Sequence, residues 1–253
     1  MACFHVRCPH FTDILPNLNV GAAKVKGVQS IFLAVRFSVF IMNSHSSTMQ
    51  SITSHSHLEK SHSEKALRND EDLDVPVLIA LFNNTFEDLN TRLVLGDDEP
   101  VYLPADTTCS FHRIVFAHGF FSSALHEIAH WCIAGKERRL LEDYGYWYCP
   151  DGRNQEQQAQ VEQVEIKPQA VEWALACAAK KQFRVSTDNL NGAPVDVQGF
   201  QQAVQNQALA YLKSGFPKRA GVFIQVLQHF YQSPELNAGS FTWPHQSESI
   251  AHV

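Results

Sequence analysis

The spacing of apolar and polar residues predicts a series of regular elements that starts near residue 75. Val75 to Phe86 has the apolar spacing of an amphipathic helix. Thr91 to Val94 and Val101 to Leu103 are predicted to be short strands on either side of an acidic turn. Arg113 to Gly119 is predicted to be a buried strand that ends in a glycine turn.

A short apolar helix is predicted directly after that strand. Ser122 and Ser123 are expected to cap its first turn, and Gly135 is expected to end it. Within it lies the segment His126-Glu127-Ile128-Ala129-His130. A solvated histidine pair would be expected on a polar helix, whereas this helix has an apolar stripe of Ala124, Leu125, Ile128, Ala129, Cys132 and Ile133.

The C-terminal half is predicted to be mostly helical. Asn154 to Lys180 has helical character, but Pro168 lacks a backbone donor and predicts a break or a new first turn near Ile166 and Lys167. Val195 to Ser214 and Pro217 to Tyr231 are predicted to be two amphipathic helices.

The first 72 residues differ from the rest of the chain. Residues 31–42 are apolar but too few to span a membrane, and Ser44 to Lys65 is a Ser- and His-rich segment typical of disorder. We therefore predict a poorly ordered extension over residues 1–72, a folded domain over 73–245 and a tail over 246–253. An over-called start, with translation beginning at Met42 or Met49, is the alternative.

Charge and cysteine content narrow the class of protein. The net charge of −6 argues against a general nucleic-acid binder, which usually has a basic face. The six cysteines form no C-x-x-C pair, so a zinc ribbon is not expected, and scattered thiols are typical of a reduced, cytoplasmic protein. No apolar run reaches 18 residues, so no transmembrane helix is predicted.

The H-E-x-x-H segment predicts a metal site. In a helix, residues four apart share a face, so His126 and His130 can bind one cation with Glu127 beside it. A structural histidine pair is the alternative. The third ligand must come from elsewhere in the chain. Glu165 is the first candidate, followed by the alternatives Glu162, Asp143 and His118.

Two imidazoles and one carboxylate are compatible with two classes of enzyme. With Fe(II) they form the facial triad of non-haem oxygenases. With zinc they form a hydrolase site in which Glu127 is the base. The metzincin pattern requires Gly and His where this chain has Ile133 and Lys136, so that subclass is excluded.

Four ordered blocks, residues 90–106, 113–139, 144–153 and 164–170, resemble the bacterial elongation factor P hydroxylase family. The resemblance covers about residues 75 to 245. It implies an α+β fold, a single compact domain with a small mixed sheet, similar to YbeY-type metal-dependent ribonucleases. It also implies hydroxylation of the modified lysine of β-lysylated elongation factor P, with iron and molecular oxygen.

The resemblance carries over to particular residues. It implies metal ligation by His126, His130 and a carboxylate, which we assign to Glu165, and leaves Glu127 as a neighbouring or proton-handling group. A lysine-rich substrate suits an acidic protein. The predicted substrate contacts are the turn residues Asp97 and Asp98, the aromatics Tyr146 and Trp147, and the charged pair Asp151 and Arg153.

Two rival classes remain open from the sequence. One is a zinc-dependent hydrolase, either a peptidase or a YbeY-type ribonuclease, although the acidic charge balance argues against the ribonuclease. The other is a non-catalytic protein that binds elongation factor P, with a structural metal. For the hydroxylase we expect no direct nucleic-acid contact and no membrane contact.

Overall fold

The computed structural model describes residues 74–97, 99–143, 153–187 and 196–243, and its first element is a helix over residues 74–85 (α1). The helix predicted from Val75 to Phe86 is therefore confirmed. The described residues form two compact units. The first unit contains residues 74–92 and 105–112, and the second contains the remainder.

The first unit is built on the apolar face of α1. Leu78, Leu81 and Phe82 are fully buried, and the ring of Phe82 lies 4.9 Å from that of Phe86. A 3-10 turn over Glu87–Leu89 follows the helix. Burial of these side chains supplies the main favourable free energy for folding this segment.

Three strands form a small sheet in the order β1-β3-β2: β1 is Thr91–Leu95, β2 is Val101–Leu103 and β3 is His112–Phe116. β2 and β3 are antiparallel, with Val101 opposite Val115. At β1, the His112 N–H donates to the Asn90 carbonyl and the Gly96 N–H donates to the Phe116 carbonyl, so β1 and β3 run in the same direction. The prediction of a small mixed sheet is confirmed.

Four α-helices lie in the described part of the second unit: α2 is Phe121–Ile133, α3 is Gln155–Ala178, α4 is Val197–Ser214 and α5 is Lys218–Tyr231. α3 packs against α2, α4 and α5, and α2 also contacts α5. The predicted C-terminal helices are thus confirmed. None of the described helices is both long enough and apolar enough to cross a membrane.

The start of α2 differs from the prediction. The helix begins at Phe121, its N-cap residue is Phe120, and no side chain accepts a capping hydrogen bond. Ser122 and Ser123 lie inside the first turn, so the prediction that they cap the helix was wrong. The physical reason is the preceding turn, in which His118 (φ 59°) and Gly119 (φ 68°) redirect the chain, so that the N-cap is Phe120, two residues before Ser122.

The predicted break at Ile166-Lys167 was also wrong. α3 continues through Pro168 over 24 residues without interruption. Pro168 lacks the N–H that would bond to the Val164 carbonyl. In an isolated helix this loss costs about 3 kcal/mol. Here Pro168 is buried and the following turns pack against three other helices, so tertiary burial outweighs the local preference.

The predicted domain boundaries are not tested by the described residues and stay a prediction. The extension over residues 1–72 and the tail over 246–253 lie outside the described residues, as does the aromatic segment 144–152. The single compact domain also stays a prediction, because the described chain divides into two compact units.

Arg219 of α5 holds the C-terminal end of α2. Its guanidinium donates to the carbonyls of Trp131 (2.6 Å), Cys132 (3.1 Å) and Ala134 (2.6 Å), and it lies 4.7 Å above the Trp131 ring. The last carbonyls of a helix have no partner within the helix, and a cation there also opposes the helix dipole. Arg219 therefore fixes the end of the helix that carries both histidines.

Arg219→Ala is expected to lower the free energy of unfolding by about 2 kcal/mol, because three carbonyls lose a charged donor. Urea unfolding followed by circular dichroism measures this loss. Arg219→Lys keeps the charge but loses the planar guanidinium with its several donors, so its free energy of unfolding should lie between those of Arg219→Ala and the wild type. Lys218→Ala, an exposed neighbour, is the matched control. Equal unfolding free energies for Arg219→Ala and Lys218→Ala would contradict the prediction.

Candidate metal centre

The two histidines of the H-E-x-x-H segment lie one turn apart on α2, directed at the same point. The Nε2 atoms of His126 and His130 are 3.0 Å apart. Their side chains are 25% and 14% exposed, so the pair is largely buried on a helix whose other face is in the core. The 3.6-residue period places the imidazoles side by side, as the spacing predicted.

Glu165 approaches this pair from α3. Its Oε1 atom lies 3.3 Å from His130 Nε2, and its Oε2 atom lies 3.7 Å from His126 Nε2. Each of the three residues offers a ligand atom within 4.8 Å of the others, and this is the one such group of three found in the described part of the chain. The packing of α3 on α2 therefore brings together the three residues that were predicted from the sequence to bind a metal.

The donor set fits a divalent cation. Ligand atoms bound about 2.1 Å from one ion at angles of about 90–109° lie roughly 3.0–3.4 Å apart, which agrees with the separations of 3.0 Å and 3.3 Å seen here. Among the described residues, Glu165 Oε2 is buried and has no hydrogen-bond donor. A buried carboxylate oxygen is costly without a partner, and a cation would supply one.

A fourth residue, Glu172, contacts the far side of His126. Its Oε2 atom lies 2.8 Å from His126 Nδ1, and its side chain is 10% exposed. Sequence reasoning missed this residue. The signal in the sequence was that Glu172 is a lone carboxylate in the apolar run Ala170-Val171-Glu172-Trp173-Ala174. Glu172 also lies two helical turns after Glu165 and therefore on the same helix face.

Neighbouring charges set the protonation of the site. Burial alone would lower the pKa of His126, but the hydrogen bond and charge of Glu172, with Glu165 and Glu127, raise that pKa to about 10. Burial alone would raise the pKa of Glu165, but His130, His126 and a hydrogen bond from Gln169 lower it to about 2. Burial raises the pKa of Glu127, and the histidines oppose that shift.

Glu127 faces a small cavity beside the histidines. The cavity has a volume of about 30 Å³, enough for one or two water molecules. His130 also lines it, with Tyr102 of β2 and the ion pair of Arg138 and Asp143. Glu127 therefore lies next to the candidate ligands but outside the group of three.

Comparisons with known proteins identify the family. The model of the family described as Elongation factor P hydroxylase matches residues 81–241. The Elongation factor P lysine hydroxylase of Haemophilus influenzae is 55% identical over 166 residues, which is 65% of this chain and 93% of that protein. The chain belongs to the elongation factor P hydroxylase family. His126, His130, Glu165 and Glu172 all lie inside the matched region.

The alternative third ligands lie outside the group of three in this family member. Glu162 accepts a hydrogen bond from Gln158 (2.9 Å). Asp143 forms an ion pair with Arg138 through both carboxylate oxygens. His118 is exposed in the turn before α2.

Predicted substrate contacts fall into three groups. Asp97 is exposed in the turn between β1 and β2, while Asp98, Tyr146, Trp147 and Asp151 lie outside the described residues. Arg153 is only 6% exposed, and it donates to Gln158 (2.9 Å) and to the Thr187 carbonyl (2.9 Å). These internal contacts favour a role in holding the segment after α3, and its substrate role stays a prediction.

Gln169 connects residues 181–187, the segment after α3, to the candidate ligand Glu165. Its amide donates to the Ser186 carbonyl (2.7 Å) and accepts from the Ser186 N–H (3.1 Å), and it also lowers the pKa of the Glu165 carboxyl. Gln169 is 1% exposed, so each of these bonds is shielded from water. Residues 181–187 are thereby fixed along α3 next to Glu165.

Gln169→Ala is expected to lower the free energy of unfolding by about 2 kcal/mol and to speed hydrogen exchange in residues 181–187, since both hydrogen bonds between Gln169 and Ser186 are lost. Exchange measured by mass spectrometry reports the local effect. Gln163→Ala, on an exposed position of the same helix, is the matched control. Identical exchange of residues 181–187 in both variants would show that Gln169 does not hold the segment.

Proposed function

We propose that this chain hydroxylates the β-lysylated lysine of elongation factor P at a non-haem iron centre formed by His126, His130 and Glu165. The observation that carries the proposal is the convergence of these three side chains inside a region that matches elongation factor P hydroxylase. The Haemophilus relative is named as a lysine hydroxylase of elongation factor P, which supports the same substrate here.

Iron is the proposed metal, with molecular oxygen as the co-substrate. Two imidazoles and one carboxylate suit Fe(II) and leave coordination positions open. Iron bound there supplies the oxygen chemistry that amino-acid side chains lack. The overall change converts a C–H bond and O₂ into a C–OH group and water, and it consumes two electrons and two protons from a reductant.

The chain's own residues hold the site in shape. Glu165 brings a carboxylate from α3 to the histidines of α2, and Gln169 restrains that carboxylate. Glu127 lines the cavity that adjoins His130, so it is proposed to exchange protons with water there. We also propose that the arrangement of small mixed sheet and helices follows the YbeY-type fold.

Substrate recognition is proposed to rest on negative charge. The β-lysyl extension of the substrate lysine carries two ammonium groups, and the chain has a net charge of −6. Asp97 is exposed and Asp98 follows it in sequence. Tyr146 and Trp147 are proposed to pack along the alkyl stem, with Asp151 facing an ammonium group and Arg153 facing an anionic group of the substrate.

The central test is intact-mass analysis of β-lysylated elongation factor P after incubation with the protein, Fe(II), a reductant and air. A gain of about 16 Da is expected, rising to about 18 Da under ¹⁸O₂, because one oxygen atom enters the product. His126→Ala, His130→Ala and Glu165→Ala should each abolish the gain. Glu162→Ala, on the same helix face, should retain it.

Several outcomes would overturn the assignment. Full activity in Glu165→Ala would remove Glu165 from the metal. A gain of oxygen under nitrogen, or with zinc in place of iron, would exclude oxygen-dependent iron chemistry. No gain under any of these conditions would favour the zinc hydrolase alternative, which zinc-loaded protein and peptide or RNA substrates would then test.

Asp97→Asn combined with Asp98→Asn is expected to weaken binding of β-lysylated elongation factor P by roughly three- to tenfold at low salt, because two attractive charges are lost. The difference should shrink as salt is raised. Binding by calorimetry measures both effects. Glu235→Gln, which removes one negative charge from an exposed position after α5, is the control. Wild-type affinity in the double variant would remove this turn from the substrate surface.

A further inference from the structure

Glu172 is buried in the core with one close polar contact to the candidate centre. Its carboxylate lies 2.8 Å from His126 Nδ1, and its side chain is only 10% exposed. It stands in the apolar segment Ala170–Ala176, where its neighbours Val171 and Ala174 are fully buried. A carboxylate in such surroundings costs free energy of desolvation, which an apolar residue of similar volume would avoid.

The contact selects one form of the imidazole. A neutral imidazole has one N–H donor and one acceptor nitrogen, and a carboxylate can only accept. Glu172 therefore holds the proton of His126 on Nδ1. In the neutral ring that a metal requires, the lone pair is then on Nε2, which is the atom that lies 3.0 Å from His130 Nε2 and 3.7 Å from Glu165 Oε2.

The geometry also fixes the direction of the ring. His126 sits on α2 and Glu172 on α3, so the hydrogen bond ties the imidazole to a second helix. Glu165 lies seven residues before Glu172 on α3 and approaches the opposite ring nitrogen. The His126 ring is thus held between two carboxylates of one helix, with Nδ1 towards one and Nε2 towards the other.

We propose that Glu172 is a positioning residue that presents His126 Nε2 to the metal by accepting its Nδ1–H. The proposal rests on the metal centre proposed above. Carboxylates that accept from the second nitrogen of a metal-binding histidine commonly change metal affinity by 10- to 100-fold when they are removed. Glu172 contacts neither substrate nor metal and acts through His126.

The test is a titration of the metal-free protein with Co(II) against a competing chelator, followed by the visible spectrum of the bound ion. Glu172→Ala is expected to raise the dissociation constant roughly 10- to 100-fold. Glu172→Gln, which can accept from Nδ1–H but has no charge, should lie between Glu172→Ala and the wild type. Glu162→Gln removes a carboxylate from the same helix and should bind Co(II) as the wild type does.

A second measurement reads the histidine directly. In zinc-loaded protein with ¹⁵N-labelled histidine, long-range proton–nitrogen correlations report which ring nitrogen carries the proton. The wild type should show His126 with the proton on Nδ1 and a metal-bound Nε2. Glu172→Ala should show a shifted and broadened His126 signal, because the ring loses the acceptor that fixes it. A merely structural carboxylate would leave this signal unchanged.

The outcomes separate the two proposals. If the wild type and His126→Ala fail alike to bind Co(II), the metal centre itself is wrong, and the role of Glu172 falls with it. If the wild type binds and Glu172→Ala binds equally well, the centre stands and the positioning role is overturned. Glu172→Gln is nearly isosteric, so it decides the question if Glu172→Ala does not fold, and wild-type affinity in that variant would overturn the proposal.

Discussion

The packing of α3 against α2 is the contact on which the candidate centre depends. α2 supplies two imidazoles one turn apart, and α3 supplies carboxylates two turns apart. The two imidazoles of the group of three come from α2 and its carboxylate comes from α3, so neither helix alone supplies all three. The relative position of the two helices is held by apolar burial on both sides, so the core around Ile128 and Leu175 determines the geometry of the polar groups. Stability and site geometry are therefore set by the same contact.

The sequence predicted much of this arrangement because most signals were local. Apolar periodicity was sufficient for the helices and strands, and the four-residue spacing was sufficient to pair His126 with His130. Two predictions failed where tertiary packing overrode a local preference: Pro168 did not break α3, and Ser122 and Ser123 did not cap α2. Glu165, the first candidate for the third ligand, lies in the middle of this continuous helix and approaches both histidines.

Glu172 shows why the rest of the site could not be predicted. A single carboxylate in an apolar run has no spacing motif, and its meaning depends on which side chain lies opposite it on another helix. That pairing spans 46 residues of sequence and is set by how α2 and α3 cross. The local charge balance follows from the same crossing. Glu127, Glu165 and Glu172 surround two histidines, so the centre favours a bound cation over an anion.

The hydrogen bonds from Arg219 to the end of α2 link two segments that the ribosome synthesises at different times. The carbonyls that it caps lie 85 to 88 residues earlier in the chain. Ribosomes synthesise proteins from the N-terminus, and segments fold as they emerge. The residues of α2, with both histidines, are therefore synthesised before Arg219, the residue that caps the end of the helix. On the ribosome, the last carbonyls of α2 therefore lack this charged donor until Arg219 has been synthesised.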